Sequence, residues 1–144
     1  MKKKDQKENM LFFAWAVSVI ATLGSLYFSE IKQYEPCELC WYQRILMYPQ
    51  TILLGLALVK KDYKAAFYTA VLSGMGLLLS LYHYLIQKVP FFTANSPACG
   101  RVPCSGQYIN WAGFITIPFL AFIAFTLIFS VSLLLLKQLK ENER

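Results

Sequence analysis

Four apolar runs, each near the length needed to cross a bilayer, set the limits on what this chain can fold into. They extend from Leu11 to Phe28, about Trp41 to Val59, Ala65 to about Gln87 and about Ile117 to Leu136. A membrane crossing takes roughly 20 apolar residues. A soluble domain of 144 residues has no use for several such runs. Backbone inside lipid must satisfy its own hydrogen bonds, so the expectation is an all-α membrane protein. The predicted architecture is a four-transmembrane-helix bundle, one integral membrane domain over residues 1–144, with two loops on the outer side.

The first run follows Met1 to Asn9, a segment rich in lysine. A signal peptide also starts with a basic segment and an apolar core. Here no small-residue cleavage site follows the core, which ends in Tyr27-Phe28-Ser29-Glu30. The run is expected to be a retained span, with a polar loop from Ser29 to Pro36. Pro49 lies inside the second run, where neighbouring helices can satisfy the carbonyl it frees. Its readings are an ordinary kink or a functional hinge. Ser73, Gly74, Gly76 and Ser80 in the third run are small enough to let helices approach closely. Pro118 suits the first turn of the fourth. Between these two runs, residues 88–113 read as a loop. Its last part, Tyr108 to Phe114, mixes aromatic and polar residues and is expected to lie in the interface as a short amphipathic segment.

The charges supply the orientation. The net charge is +6, but the lysines flank the apolar runs and form no interleaved basic-aromatic surface, so they are topology signals and not a nucleic-acid footprint. Four spans put both termini on one side. That side holds Lys2, Lys3, Lys4, Lys7, Lys60, Lys61, Lys64, Lys137, Lys140 and Arg144, ten of the 14 basic residues. Positively charged loops stay in the cytoplasm. The termini are therefore expected there, in a plasma-membrane protein, and the other loops outside.

The four cysteines form two close pairs, Cys37/Cys40 and Cys99/Cys104, both in outer loops and so on the oxidising side. If a helix begins near Cys40, its N-terminus directs partial positive charge at that sulfur, and Arg44 lies one turn on. Both effects favour the thiolate, the species that attacks disulfides. The competing reading is a small stapling disulfide, although a C-x-x-C ring contributes little loop entropy. Arg44 is either the electrostatic partner of that site or an interfacial anchor. Trp41 and Tyr42 read as interface aromatics. Cys99 and Cys104 close a loop of about six residues, worth only about 2 kcal/mol in the chain-entropy model. That suits a bond that opens and closes, while a structural clip is the alternative. His83, the only histidine, and Gln87 share a helix face at i, i+4. They are candidates to donate to a ligand carbonyl; the plainer reading of His83 is a satisfied core residue. A four-cysteine zinc site has the raw material, but no histidine is nearby and the oxidising side favours disulfides, so no metal is expected. The chain has no phosphate-binding or dinucleotide-binding glycine motif, no internal repeat and no low-complexity tract.

With these pieces together, the chain resembles the DsbB family of disulfide-generating membrane proteins, in its short-loop Gram-positive branch. The resemblance covers nearly the whole chain. It is carried by Cys37-x-x-Cys40-x-Tyr42-x-Arg44, His83-x-x-x-Gln87, Cys99 with Cys104, and the aromatic segment leading into Pro118. It implies a quinone-dependent thiol-disulfide oxidoreductase that reoxidises an extracytoplasmic thioredoxin-fold thiol oxidase. The quinone, menaquinone or ubiquinone, would take up the electrons. It also implies roles: Cys40 as the thiolate at the quinone, Arg44 stabilising it, Cys37 as its disulfide partner, and His83 and Gln87 beside the quinone. Cys99 would form the mixed disulfide with the partner, and Cys104 would attack Cys37. Two features differ from longer members. Only four residues separate the second pair, and position 43 is Gln where longer members can carry an acid, a change expected to alter only local charge.

Three rivals remain. An enzyme of the vitamin K epoxide reductase type would carry the loop pair before the C-x-x-C, not after it. A non-catalytic four-span scaffold would hold two structural disulfides. A reductant exporter would place its cysteines within the spans.

Overall fold

The computed structural model describes residues 2–33, 38–94 and 117–144. Their secondary structure is helical throughout, with no strand among them. α1 runs Lys2–Leu26 and continues as a π-helical turn, Tyr27–Ile31. α2 is Glu38–Lys60. A 3-10 turn, Tyr63–Ala65, leads into α3, Ala66–Lys88. The short α4, Pro90–Ala94, follows, and α5 is Ile117–Glu143.

Helix boundaries lie beyond the apolar runs. α1 begins at Lys2, not at Leu11, because lysine and glutamine are good helix formers and need not enter lipid to stay helical. The expected loop at Ser29 is instead the π turn. Lys61 marks the exit from α2 with φ of 54°, and Asp62 caps the 3-10 turn by accepting from the Lys64 N–H at 3.1 Å. The expected 88–113 loop opens with α4, where proline occupies a first helical position that needs no N–H. The segment from Tyr108 to Phe114 lies outside the described residues. Three helical segments, Lys2–Ile31, Tyr63–Lys88 and Ile117–Glu143, are long and apolar enough to cross a membrane. α2 has the length, 23 residues, but it carries Glu38, Gln43, Arg44 and Gln50.

The four long helices pack in the order α1, α2, α3, α5, with α5 returning to α1. Side-chain pairs show that neighbours are antiparallel. Thr22 meets Thr51 at 3.0 Å and Ser25 meets Arg44, so α2 descends as α1 rises. Thr69 meets Ser132 at 3.0 Å, while Tyr84 stacks near Phe119, so α3 and α5 oppose in the same way. All ten basic residues counted above therefore fall at one end, and Cys40 and His83 at the other.

The bundle sets polar side chains among an apolar core and is apolar outside as well. Ser18, Gln50, Thr69, Ser73, Ser80, His83 and Ser132 are buried, whereas Ile20, Leu23, Ile52, Val59 and Leu78 are exposed. Water would penalise that arrangement, but lipid does not. The buried hydroxyls mostly donate to carbonyls of their own helix, as Ser18 Oγ does to Trp15 O at 2.7 Å and Ser80 Oγ to Leu77 O at 3.0 Å. α3 and α5 approach closely at Gly76. A Cβ there would run into the Phe125 ring, and Phe125 is fully buried.

Gly76→Ala should therefore destabilise the bundle by about 1–3 kcal/mol through overpacking. Gly24, with nothing within 4 Å of an added Cβ, should accept alanine with a gain of about 0.5–1 kcal/mol. Thermal unfolding of the two variants in detergent should move in opposite directions.

Candidate functional site

The site is built on the first turns of α2. Leu39, Gln43, Met47, Gln50, Leu54 and Ala57 are the buried positions of this helix. Their three- and four-residue spacing forms one face. Leu39 packs against Ile86 of α3, and half-buried Cys40 joins that cluster with Leu79 and Phe92. Phe92 belongs to α4, so the unexpected short helix contributes one wall of the Cys40 environment. α2 is described from Glu38, so Cys40 lies near the N-terminal end of its described part. The helix dipole favours negative charge at that end.

Two interhelical hydrogen bonds fix this end of α2. Gln43 Nε2 lies 3.0 Å from His83 Nδ1, and the two residues are 6% and 1% exposed. An amide nitrogen only donates, so Nδ1 is the acceptor and the ring proton is on Nε2. The second bond runs to α1: Arg44 Nη2 donates to Ser25 O at 3.2 Å. That carbonyl also accepts from Ser29 Oγ at 3.1 Å, and Tyr48 Oη reaches Ser25 Oγ at 3.5 Å. Ser25 stands just before the π turn. The guanidinium of Arg44 lies 5.4 Å from the Trp41 ring centroid, a cation–π contact one turn back along the helix. Tyr42 Oη donates to Glu38 Oε1 at 3.1 Å, which holds an acid at the helix N-terminus where the dipole favours it.

Of the residues singled out from sequence, Cys40, Arg44, His83 and Gln87 are described, and Cys37, Cys99 and Cys104 lie outside the described residues. Cys40 and Arg44 are one turn apart on α2. His83 is tied to the same helix through Gln43, and half-buried Gln87 lies one turn further along α3. Gln43 has a larger part than a change in local charge, because it joins α2 to α3. The signal for it was in the sequence: a polar residue in register with Leu39 and Met47 must find a buried partner. Ser25 left no such signal, since its role depends on a backbone carbonyl.

The donor set has a definite chemistry. Arg44 carries five N–H groups in a planar fork, one of them on Ser25. Leu39, Ile86 and Phe92 supply apolar surface beside Cys40. Arg44 and these apolar neighbours are the kinds of group that could hold a ligand with carbonyl acceptors.

Comparisons with known proteins identify the family. The family described as disulfide bond formation protein DsbB matches residues 7–135. A probable disulfide formation protein C 1 of Bacillus anthracis is 58% identical over 137 residues, covering 95% of this chain and 99% of that protein. The disulfide bond formation protein C of Bacillus subtilis (strain 168) is 58% identical over 118 residues, 82% of this chain and 86% of that protein. An SPbeta prophage-derived disulfide bond formation protein B of the same strain is 41% identical over 139 residues, covering 93% and 90% respectively. No solved structure matches the chain. With its three apolar helices and a family match over most of its length, the chain is an integral membrane protein that belongs to the DsbB family of disulfide bond formation proteins.

Proposed function

We propose that this protein oxidises an extracytoplasmic thioredoxin-fold thiol oxidase and passes the electrons to membrane quinone, so that exported proteins gain disulfides. The observation that carries the reading is the setting of Cys40: near the N-terminal end of α2 as described, one turn from Arg44, on the helix that Gln43 ties to His83. In this reading α2 is a fourth span, both termini are cytoplasmic and all four cysteines face outward at the plasma membrane. The excess of basic residues at the opposite end of the bundle supports that orientation.

The exchange runs through thiolate attacks. A thiolate of the partner attacks Cys99, forming a mixed disulfide and releasing Cys104. Cys104 attacks Cys37 and releases Cys40 as a thiolate. The partner's second thiol displaces Cys99 from the mixed disulfide and leaves the partner oxidised. Cys99 then attacks Cys104, restoring that disulfide and leaving Cys37 and Cys40 reduced. Bound quinone supplies the two-electron acceptor for this dithiol.

The chain's own residues prepare that last step. Arg44 and the α2 N-terminus stabilise negative charge on Cys40. Arg44 and His83 offer N–H groups to carbonyl oxygens, and Gln87 lies one turn on along the same face of α3. Leu39, Ile86 and Phe92 give the half-buried Cys40 apolar surroundings. The Arg44–Ser25 and Gln43–His83 bonds hold both donors in place, so that little order is lost on binding.

Purified protein mixed with the reduced thioredoxin-fold partner and quinone should consume quinone, followed by its absorbance. Cys40→Ser should abolish that consumption, and undiminished reduction by the variant would sink the mechanism. A partner whose second thiol is replaced by serine cannot displace Cys99, and should accumulate the Cys99 mixed disulfide as a band on a non-reducing gel. Gln43→Leu leaves His83 Nδ1 buried without its donor and should cost about 1–3 kcal/mol in unfolding. The same variant should raise KM for quinone more than it lowers kcat, because it loosens a donor and does not touch the thiols.

A further inference from the structure

At the end of the bundle away from Cys40, polar groups from three elements converge on one corner. Lys7 of α1 is only 7% exposed, with its ammonium 5.9 Å from the Tyr63 ring centroid. A buried cation is costly unless it is paired. The neighbouring carboxylates are engaged elsewhere: Glu8 lies 3.5 Å from Lys61 Nζ, and Asp62 caps the Lys64 N–H. Among the described residues, no carboxylate pairs with Lys7. Tyr63 Oη is buried without a hydrogen-bond partner, and so is Gln138 Oε1 of α5. Gln138 Nε2 rests on Met10 Sδ at 3.7 Å, and Met10 is one turn from Lys7. Tyr63 and Met10 pack on the same core.

The missing complement can be read from these three groups. Lys7 lacks an anion, the Tyr63 hydroxyl lacks an acceptor, and Gln138 Oε1 lacks a donor. A phosphodiester that bears a free hydroxyl supplies all three. Beside Met10, a groove of about 430 Å³ runs between α1 and α5, with Phe13 and Val131 along it and Lys2, Asp5, Gln6 and Asn9 at its polar end. An apolar groove next to an anion-seeking corner suits an acyl chain attached to that phosphate. Free phosphate has no use for it.

We propose that this corner binds the headgroup of an anionic phospholipid with a hydroxyl-bearing headgroup, of the phosphatidylglycerol class. The lipid joins α1, the 3-10 turn and α5 at the basic end of the bundle, where anionic headgroups are drawn to clustered lysines. The inference requires an integral membrane protein and does not depend on the redox reading.

The test is thermal unfolding of the full chain in detergent micelles, titrated at constant ionic strength with short-chain phosphatidylglycerol, phosphatidylcholine or inorganic phosphate. Phosphatidylglycerol should raise Tm, as a ligand of the folded state does, and the other two should not. Lys7→Gln and Tyr63→Phe should each weaken the apparent affinity by about fivefold or more. Lys7→Arg should retain it, as should Lys3→Gln, which removes an exposed charge from the same helix. Tyr63→Phe keeps the ring and the fold, so it remains informative if Lys7→Gln fails to fold. The proposal is overturned if phosphatidylcholine or inorganic phosphate shifts Tm equally, if Lys7→Gln and Tyr63→Phe titrate like the unmodified protein, or if Lys3→Gln loses as much as Lys7→Gln.

Discussion

The hydrogen bond between Gln43 and His83 fixes the working end of this protein. It joins two helices at a depth where neither side chain reaches water, so each needs the other. It sets the register of α2 against α3, and with it the place of everything in the first turns of α2. Cys40 precedes Gln43 by three residues and Arg44 follows by one, so a slip at this bond would shift Cys40 from its place beside Leu39 and Ile86 and Arg44 from the Ser25 carbonyl of α1. The bond also decides which nitrogen of His83 carries the proton. Interhelical hydrogen bonds within membranes contribute about 0.6–2 kcal/mol, so its main effect is on position and tautomer more than on stability.

The rest of the bundle follows the same logic of close approach and local satisfaction. Hydroxyls in the core return to carbonyls of their own helix, and a glycine opposite Phe125 lets α3 and α5 come together. The two ends differ in character. One presents a half-buried thiol, an arginine bound to a backbone carbonyl and a buried histidine. The other presents lysines, one of them nearly buried against an aromatic ring.

Much of this was legible in the sequence because lipid imposes simple rules. Long apolar runs gave the helices, the lysine bias separated the two ends, and C-x-x-C with an arginine one turn on marked the stretch that we propose is reactive. Boundaries were harder to read: polar residues at Lys2 and Glu38 extend helices past the apolar limits, and the π turn at Tyr27–Ile31 has no periodic signature. α2 is the instructive case. Its buried face carries Gln43 and Gln50, so a hydropathy reading undercounts it, while a reading for function singles it out. Gln43 could have been found from its register with Leu39 and Met47, but its partner could not, because forty residues separate it from His83. Ser25 was out of reach, since what it offers is a carbonyl common to every residue.

The single histidine permits a direct measurement of the central geometry. Nitrogen-15 NMR of the histidine-labelled protein in nanodiscs reports the protonation of each ring nitrogen without ambiguity of assignment. The account predicts an unprotonated, hydrogen-bonded Nδ1 and a protonated Nε2, with the Nδ1 signal moving in Gln43→Leu. A protonated Nδ1, or a spectrum that Gln43→Leu leaves unchanged, would contradict it.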